Sequence, residues 1–487
     1  MTDPSDTLAT TAQDTSELQQ RRWRVLVIAS VGVFMAALDT SIVAVARAGI
    51  GPDLRLSYSE ALWVQASYLL VVTVLVIPVG RLADLRGPFR LYMLGVFLFG
   101  VFSVMAAVSP GGLFLIGARV LQGVGGALVT TTSAAIVTAV FPPNERGRAL
   151  GFNVMFATLG LALGPPLGGL IATHLGWRWI FFVNVPVVVA ILASGWHLLG
   201  AERRDRATQR LGTAAAAGKR IDALGAALLG VMLASLFVPL IFSPLWGWAS
   251  AQTVLFLVAA VVAAAAFVVV EDRVKDPVLD LGLFRRNRVF AAANTAALLF
   301  FGATFGVTVF TAVFLEVVQG RSAQQAGLIL LVQPAIMTIL APFAGRLSDR
   351  VGSRGLAVTG VLIVAAATGQ LALVSSASPM WRFLAGLATL GLGMAFFGAP
   401  NLSRVMGAVS RSELGVASGV MSTMRSGGQG LSIAVLGAIA ASQLGPTGGR
   451  VVLLGKSAGV SSAQAFAAGY REAMLAGAGL AIAGAII

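Results

Sequence analysis

Asp39 sits about 15 residues into an apolar run that ends at Ala46, and Arg119 sits about 6 residues into another such run. A charged side chain in hydrocarbon costs at least ~2.5 kcal/mol, so residues of this kind usually mark ion pathways or protonation sites. At ~1.5 Å per residue Asp39 lies roughly 22 Å along its helix, and Arg119 roughly 9 Å along a helix running the opposite way. Both therefore fall at similar depth in the outer part of a membrane, where they could pair. Loss of water favours the neutral carboxylic acid, while a nearby guanidinium favours the carboxylate. A cavity that opened and closed over them could alternately load and release a proton; a static buried ion pair is the alternative.

Two further charges interrupt apolar runs. Glu316 follows about 27 helical residues from Val289, roughly 40 Å, which places it at the outer interface if the helix is straight. A second proton or cation site and a solvated interfacial acid are its two readings. Arg425 lies beside Ser426, Gly427, Gly428 and Gln429 and should face a cavity or a partner helix. Other chemistries lack their parts. With no cysteine there is no disulfide, thiolate nucleophile or thiolate metal site. The two histidines, His174 and His197, lie near the ends of apolar runs as interfacial polar residues. No nucleophile-base-metal constellation or nucleotide-binding loop is evident, so the chain does not read as an enzyme and needs no cofactor.

The elements that must position these charges are membrane helices. Of the 487 residues, 57% are hydrophobic and 11% charged, the reverse of a soluble domain. Apolar runs recur along the chain, each long enough to cross about 30 Å of hydrocarbon. The net charge of +14 comes from short clusters between runs, not from one basic stripe, which argues against nucleic acid and for membrane lipid as the surroundings. Residues 1–20 read as a disordered tail. A six-helix bundle follows over 21–200, with spans near 61–80, 91–108, 113–140, 149–173 and 179–199 after the first. The first span reads as uncleaved because it exceeds an ordinary signal-peptide core and carries Asp39. A charged linker over 201–220 leads to two inserted helices in 221–272, then a loop at 273–288 and a second six-helix bundle over 289–487.

This map of fourteen spans makes the chain an all-α polytopic membrane protein. It puts about 24 basic residues on one face and about 7 on the other, so both termini are expected in the cytoplasm. The chain ends inside an apolar stretch at Ile487 with no basic residue after it, as in a chain cut short within its last span. Trp246 and Trp248 are expected in an outer aromatic belt.

An internal repeat divides the chain. Gly80-Arg81-Leu82-Ala83-Asp84-Leu85-Arg86-Gly87 recurs as Gly345-Arg346-Leu347-Ser348-Asp349-Arg350-Val351-Gly352, each between the second and third spans of its bundle. Glycines permit tight turning and close helix approach, while Asp84 can pair with Arg86, Arg90 or a neighbouring helix end. Such a loop would latch one conformation. In Gly160-Leu161-Ala162-Leu163-Gly164-Pro165-Pro166-Leu167-Gly168-Gly169, small residues let two helices touch and the prolines permit bending, a candidate hinge.

With these motifs, with Arg119-Val120-Leu121-Gln122-Gly123 and with the WRWIFFVNVP stretch from Trp177, nearly the whole chain resembles the major facilitator superfamily. The match is specifically to its fourteen-helix drug:proton antiporter branch. The resemblance implies two six-helix bundles with two inserted helices, and a monomer that alternates access and exports amphipathic small molecules in exchange for protons across the cell membrane. It makes the proton the coupling ion, with Asp39 and Arg119 as candidates to handle it; related sequences often carry a neutral residue at the place of Glu316, so a second proton or cation site there would be specific to this chain. It makes Gly80, Asp84, Arg86, Arg90, Gly345, Arg346, Asp349 and Arg350 the conformational latch. The residues Gly160, Gly164, Pro165, Gly168 and Gly169 form the motif that marks antiporters, and Arg425 and Gln122 are expected toward the solute cavity. Pro88 and Phe89 stand where the family usually has basic residues, so the first latch should be the weaker. Arg47 and Ala44 depart from the family pattern near Asp39. An exporter dedicated to one metabolite, antibiotic or lipid would carry the same parts, and a non-transporting receptor or scaffold would keep the fold.

Overall fold

The computed structural model describes residues 4–195, 222–247, 250–442 and 460–487; the linker over 201–220, His197 and Trp248 lie outside them. In the first group, α1 spans Pro4–Asp53, α2 Tyr58–Arg86, α3 Pro88–Ala107, α4 Gly112–Val140, α5 Arg146–His174 and α6 Trp179–Gly195. The next pair is α7 (Ala223–Trp246) and α8 (Ala251–Glu271). The last group comprises α9 (Arg288–Val313, continued by a π turn over Phe314–Val318) and α10 (Ala323–Leu330 and Val332–Val351). It is completed by α11 (Ser353–Ala372), α12 (Met380–Gly407), α13 (Leu414–Ser442) and α14 (Val460–Ile486). Among the described residues eleven of these are long and apolar enough to cross a membrane, and α6 is a shorter apolar helix. At 29 and 27 residues, α13 and α14 are also long enough to cross.

One expectation changes at the start of the chain. Residues 4–20, read above as a disordered tail, continue α1 as a single helix of 50 residues. Helix-favouring Ala, Leu and Gln recur there, and a helix already nucleated by the span extends at little cost.

The repeat is visible in the packing. In the first group α1 packs on α5, α2 on α4 and α3 on α4; eight helices later, α9 packs on α13, α10 on α12 and α11 on α12. Both copies of the loop motif end in a left-handed glycine, Gly87 at φ +91° and Gly352 at φ +90°, a conformation that a side chain would strain. After Gly87, Pro88 starts α3, where its fixed φ suits the first helical position. A 3-10 turn precedes α5 (Pro143–Glu145) and another precedes α13 (Arg411–Glu413).

The two groups meet where α2 crosses α13 and α5 crosses α10. The inserted pair packs on itself, with α7 against the seam of α2 and α13. At that seam Trp63 packs on Phe242, which stacks on Trp246, which stacks on Phe256, so Trp246 belongs to an aromatic column holding α7 to α2 and α8. Elsewhere α8 exposes Leu255, Val258, Val261 and Val262, an apolar surface suited to lipid.

Candidate functional site

The helices α1, α2, α3, α4 and α6 converge on one buried polar cluster. Asp39 and Arg119 are each 0% exposed, and Arg119 Nη1 donates to Asp39 Oδ2 at 2.5 Å. The same Nη1 donates to Gln122 Oε1 at 2.6 Å, and Arg119 Nε donates to the Val64 carbonyl at 3.1 Å. The other carboxylate oxygen, Asp39 Oδ1, accepts from Gln122 Nε2 at 3.0 Å and from Asn184 Nδ2 at 3.2 Å. Both amides also donate to Ser103 Oγ. The guanidinium lies 4.4 Å from the Tyr68 ring centroid and 5.7 Å from that of Phe181, contacts that favour a cation away from water. Arg119 Nη2 alone is buried without an acceptor.

Chain direction brings these residues together. Arg119 and Gln122 are three apart and share one face of α4, which faces α1. Asn184 follows Val183, the single turn residue that divides α6. Just outside, Trp177 Nε1 donates to Asp53 Oδ2 at 2.9 Å and Arg178 Nη1 to the same oxygen at 2.7 Å. These donors hold the Asp53 carboxyl below the usual carboxylate range. They tie the far end of α1 to the start of α6.

At the end of the molecule that carries the basic loops, the loop motif forms two matching latches. Asp84 accepts from the backbone N–H of Gly415 at 2.6 Å and of Val416 at 2.9 Å; Asp349 accepts from Gly147 and Arg148, both at 2.8 Å. Each carboxylate thus caps the opening turn of a helix in the opposite group, where unpaired N–H groups and the helix dipole attract negative charge. Beside them Gly80 meets Gly415 backbone to backbone, and Gly345 meets Gly147, so a Cβ at any of the four would collide with main chain. Arg86, Arg90, Arg346 and Arg350 are exposed and take no part in these bonds. The first latch is not geometrically weaker. Pro88 and Phe89 occupy the start of α3, with Phe89 stacked on Tyr92, and neither position touches the carboxylate.

In α5, Gly160, Gly164 and Gly168 recur every fourth residue against α1, at Phe34, Ala37, Ser41 and Ile42. Pro165 and Pro166 are exposed on the opposite side, and Gly169 is off the α1-facing row. Glu316 lies half-buried on the π turn that ends α9, an irregularity frequent at functional sites. Arg425 is exposed in the middle of α13. Gln122, expected with it toward the cavity, is instead wholly buried in the Asp39 cluster. His174 is exposed at the end of α5.

Ser103, Tyr68 and Asn184 were not singled out from sequence. Asn184 lay within the motif opening at Trp177, which was the available signal; Ser103 and Tyr68 carried none. The latch partners Gly147 and Gly415 were also unmarked, since their contacts cross about 200 and 330 residues of chain.

A repeated helical membrane bundle with a buried carboxylate–guanidinium pair and reciprocal latches between halves is the build of a secondary transporter. The chain matches the Major Facilitator Superfamily over residues 29–228 and 211–433 and belongs to that family of transporters. It is 33% identical over 430 residues to the tetracenomycin C resistance and export protein of Streptomyces glaucescens, covering 88% of this chain and 78% of that one. It is 35% identical over 424 residues to the multidrug resistance protein Stp of Mycobacterium tuberculosis, covering 87% and 76%. It is 30% identical over 419 residues to the methylenomycin A resistance protein of Bacillus subtilis, covering 85% and 87%. Among solved structures, the proton:xylose symporter XylE bound to 6-bromo-6-deoxy-D-glucose shares the fold at TM-score 0.62 and 13% identity, covering 96% of this chain and 95% of that one.

Proposed function

We propose that the protein is a proton-coupled antiporter that exports amphipathic or hydrophobic drugs across the cytoplasmic membrane by alternating access. The observation that carries this reading is the Asp39–Arg119 pair, enclosed at 0% exposure among neutral donors in a family whose resistance and export members are its sequence relatives. Isolated from water, a carboxylate holding one cation and two amides is either ionised and paired or protonated and released, and no third state is inexpensive. Proton uptake on Asp39 would free Arg119, whose Nη2 already lacks an acceptor, to exchange partners. Glu316 is assigned a second proton or cation site on the π turn.

The basic face is assigned to the cytoplasm, with both termini there. The latches at Asp84 and Asp349 then close the cytoplasmic side, and this conformation faces outward. Protonation from outside would loosen the first bundle, the halves would rock, and the latches would part to admit a solute from the cytoplasm. The chain acts as a monomer on a small amphipathic molecule. Export of a single compound is the second reading, favoured by relatives named for tetracenomycin C and methylenomycin A. Sealed proteoliposomes under an imposed pH gradient, offered cationic, neutral and anionic amphipathic dyes, test the proposal. Movement of at least one dye that needs the gradient is expected; a gradient that moves none of the panel rejects multidrug export.

A further inference from the structure

Arg425 combines two features that are seldom found together. Its side chain is exposed, yet Ser418, Met421 and Ser432, which share its face of α13 at helical spacing, are buried, so it projects into a cavity among the helices and not toward lipid. It stands eleven residues into α13, about 16 Å from the basic end and so near the membrane midplane. On either side of it α13 is fixed by glycine contacts: Gly419 lies on Val76 and Ile77 of α2, and Gly428 on Leu298 and Phe301 of α9. Ser422 and Gln429, three residues before and four after, share its face and are half-buried.

The charge of that cavity is set by what is missing beside Arg425. Among the described residues no carboxylate lies within 4.0 Å of it. The membrane-embedded carboxylate of the first bundle, Asp39, already holds Arg119, Gln122 and Asn184. Asp84 and Asp349 are committed to helix ends at the basic face. Glu316 terminates α9, about 40 Å from that face by helix rise. A fixed cation at mid-membrane depth with no described carboxylate within 4.0 Å selects an anion. We infer that Arg425 is the recognition point for an anionic headgroup, a carboxylate, sulfonate or phosphate, on an amphipathic substrate, with Ser422 and Gln429 supplying neutral hydrogen bonds. This rests on the exporter reading for its substrate but not for its binding chemistry.

Equilibrium binding separates the two. Purified protein in phosphatidylcholine nanodiscs is titrated with the anionic dye 8-anilinonaphthalene-1-sulfonate and with the cation ethidium, for the intact chain, Arg425→Lys, Arg425→Gln and Arg425→Glu. The anion should bind in preference to ethidium, weaken about tenfold or more in Arg425→Gln, hold within a few-fold in Arg425→Lys, and give way to ethidium in Arg425→Glu. Adding phosphatidylglycerol distinguishes the source of the headgroup: competition with the dye assigns the site to a lipid, and no competition to a soluble amphiphile. Anion binding equal in intact and Arg425→Gln protein, absent in both, or weaker than ethidium in the intact chain overturns the inference. Normal selectivity without gradient-driven transport leaves the inference standing and removes the exporter reading.

Discussion

At the scale of single residues, the Asp39 cluster is a buried pair whose cost is met by its hydrogen bonds. Removing one partner of such a pair typically costs ~3–5 kcal/mol, because the other charge is left uncompensated. Asp39→Ala should therefore lower the thermal midpoint of the detergent-purified protein well below that of Arg119→Gln/Asp39→Asn, in which both charges are gone and the amides can still bond. Equal destabilisation by the two variants would mean the pair contributes nothing of its own. Asp53 makes a prediction about pH. Its carboxyl is held down by the Trp177 and Arg178 donors, so its contribution is present above the ordinary carboxylate range near pH ~4 and disappears as pH falls through the lowered value. Thermal midpoints of intact protein and Asp53→Asn should differ at pH 7 and converge below about pH 4. Curves that stay parallel into acid would show that the bond is inconsequential.

At the scale of elements, the latches account for the spacing of the repeated motif. Gly80 to Asp84 is one helical turn, which sets the close glycine crossing and the capping carboxylate on the same face of α2; Gly345 and Asp349 repeat this on α10. A charge at a helix N-terminus is worth ~0.3–2 kcal/mol, so Asp84→Asn with Asp349→Asn should move the balance between closed and open basic ends by roughly threefold or more. The chain contains no cysteine, so labels at Arg86→Cys and Arg411→Cys can report that distance directly. The double variant should show a longer-distance population at the expense of the short one, and an unchanged distribution would deny the latches their role. Gly80→Ala should act in the same direction, through backbone collision with Gly415 instead of lost charge. Local grammar made much of this legible: Gly87, Asp84 and their repeats announced a turn and a cap from sequence. It could not say that the cap belonged to α13, because the receiving N–H groups of Gly415 and Val416 look like any others in a sequence.

At the scale of the whole molecule, apolar run length located the helices, since hydrocarbon thickness fixes how long a spanning segment must be. The boundary at Pro4 was missed because propensity in a polar segment is a weak signal beside hydropathy. Pairing of Asp39 with Arg119 could be argued from depth alone, but Ser103, Tyr68 and Asn184 entered only when five helices were brought to one point. The same geometry explains the placement of Gln122: three residues from Arg119 on α4, it is drawn into the ion pair and away from the cavity. The inserted α7 packs on the seam of α2 and α13, with α8 against α7, so any rocking of the halves must slide along α7.

The central claim is that substrate and proton movements are linked through Asp39. Proteoliposomes loaded with a pH-sensitive dye, given a transported amphiphile with no pre-formed gradient, report proton flow directly. Intact protein should acidify or alkalise the lumen in step with substrate and opposite to it, and Asp39→Asn should abolish the signal while still binding substrate. Substrate-linked proton flow that persists in Asp39→Asn, or transport by intact protein with no proton flow, would contradict the account.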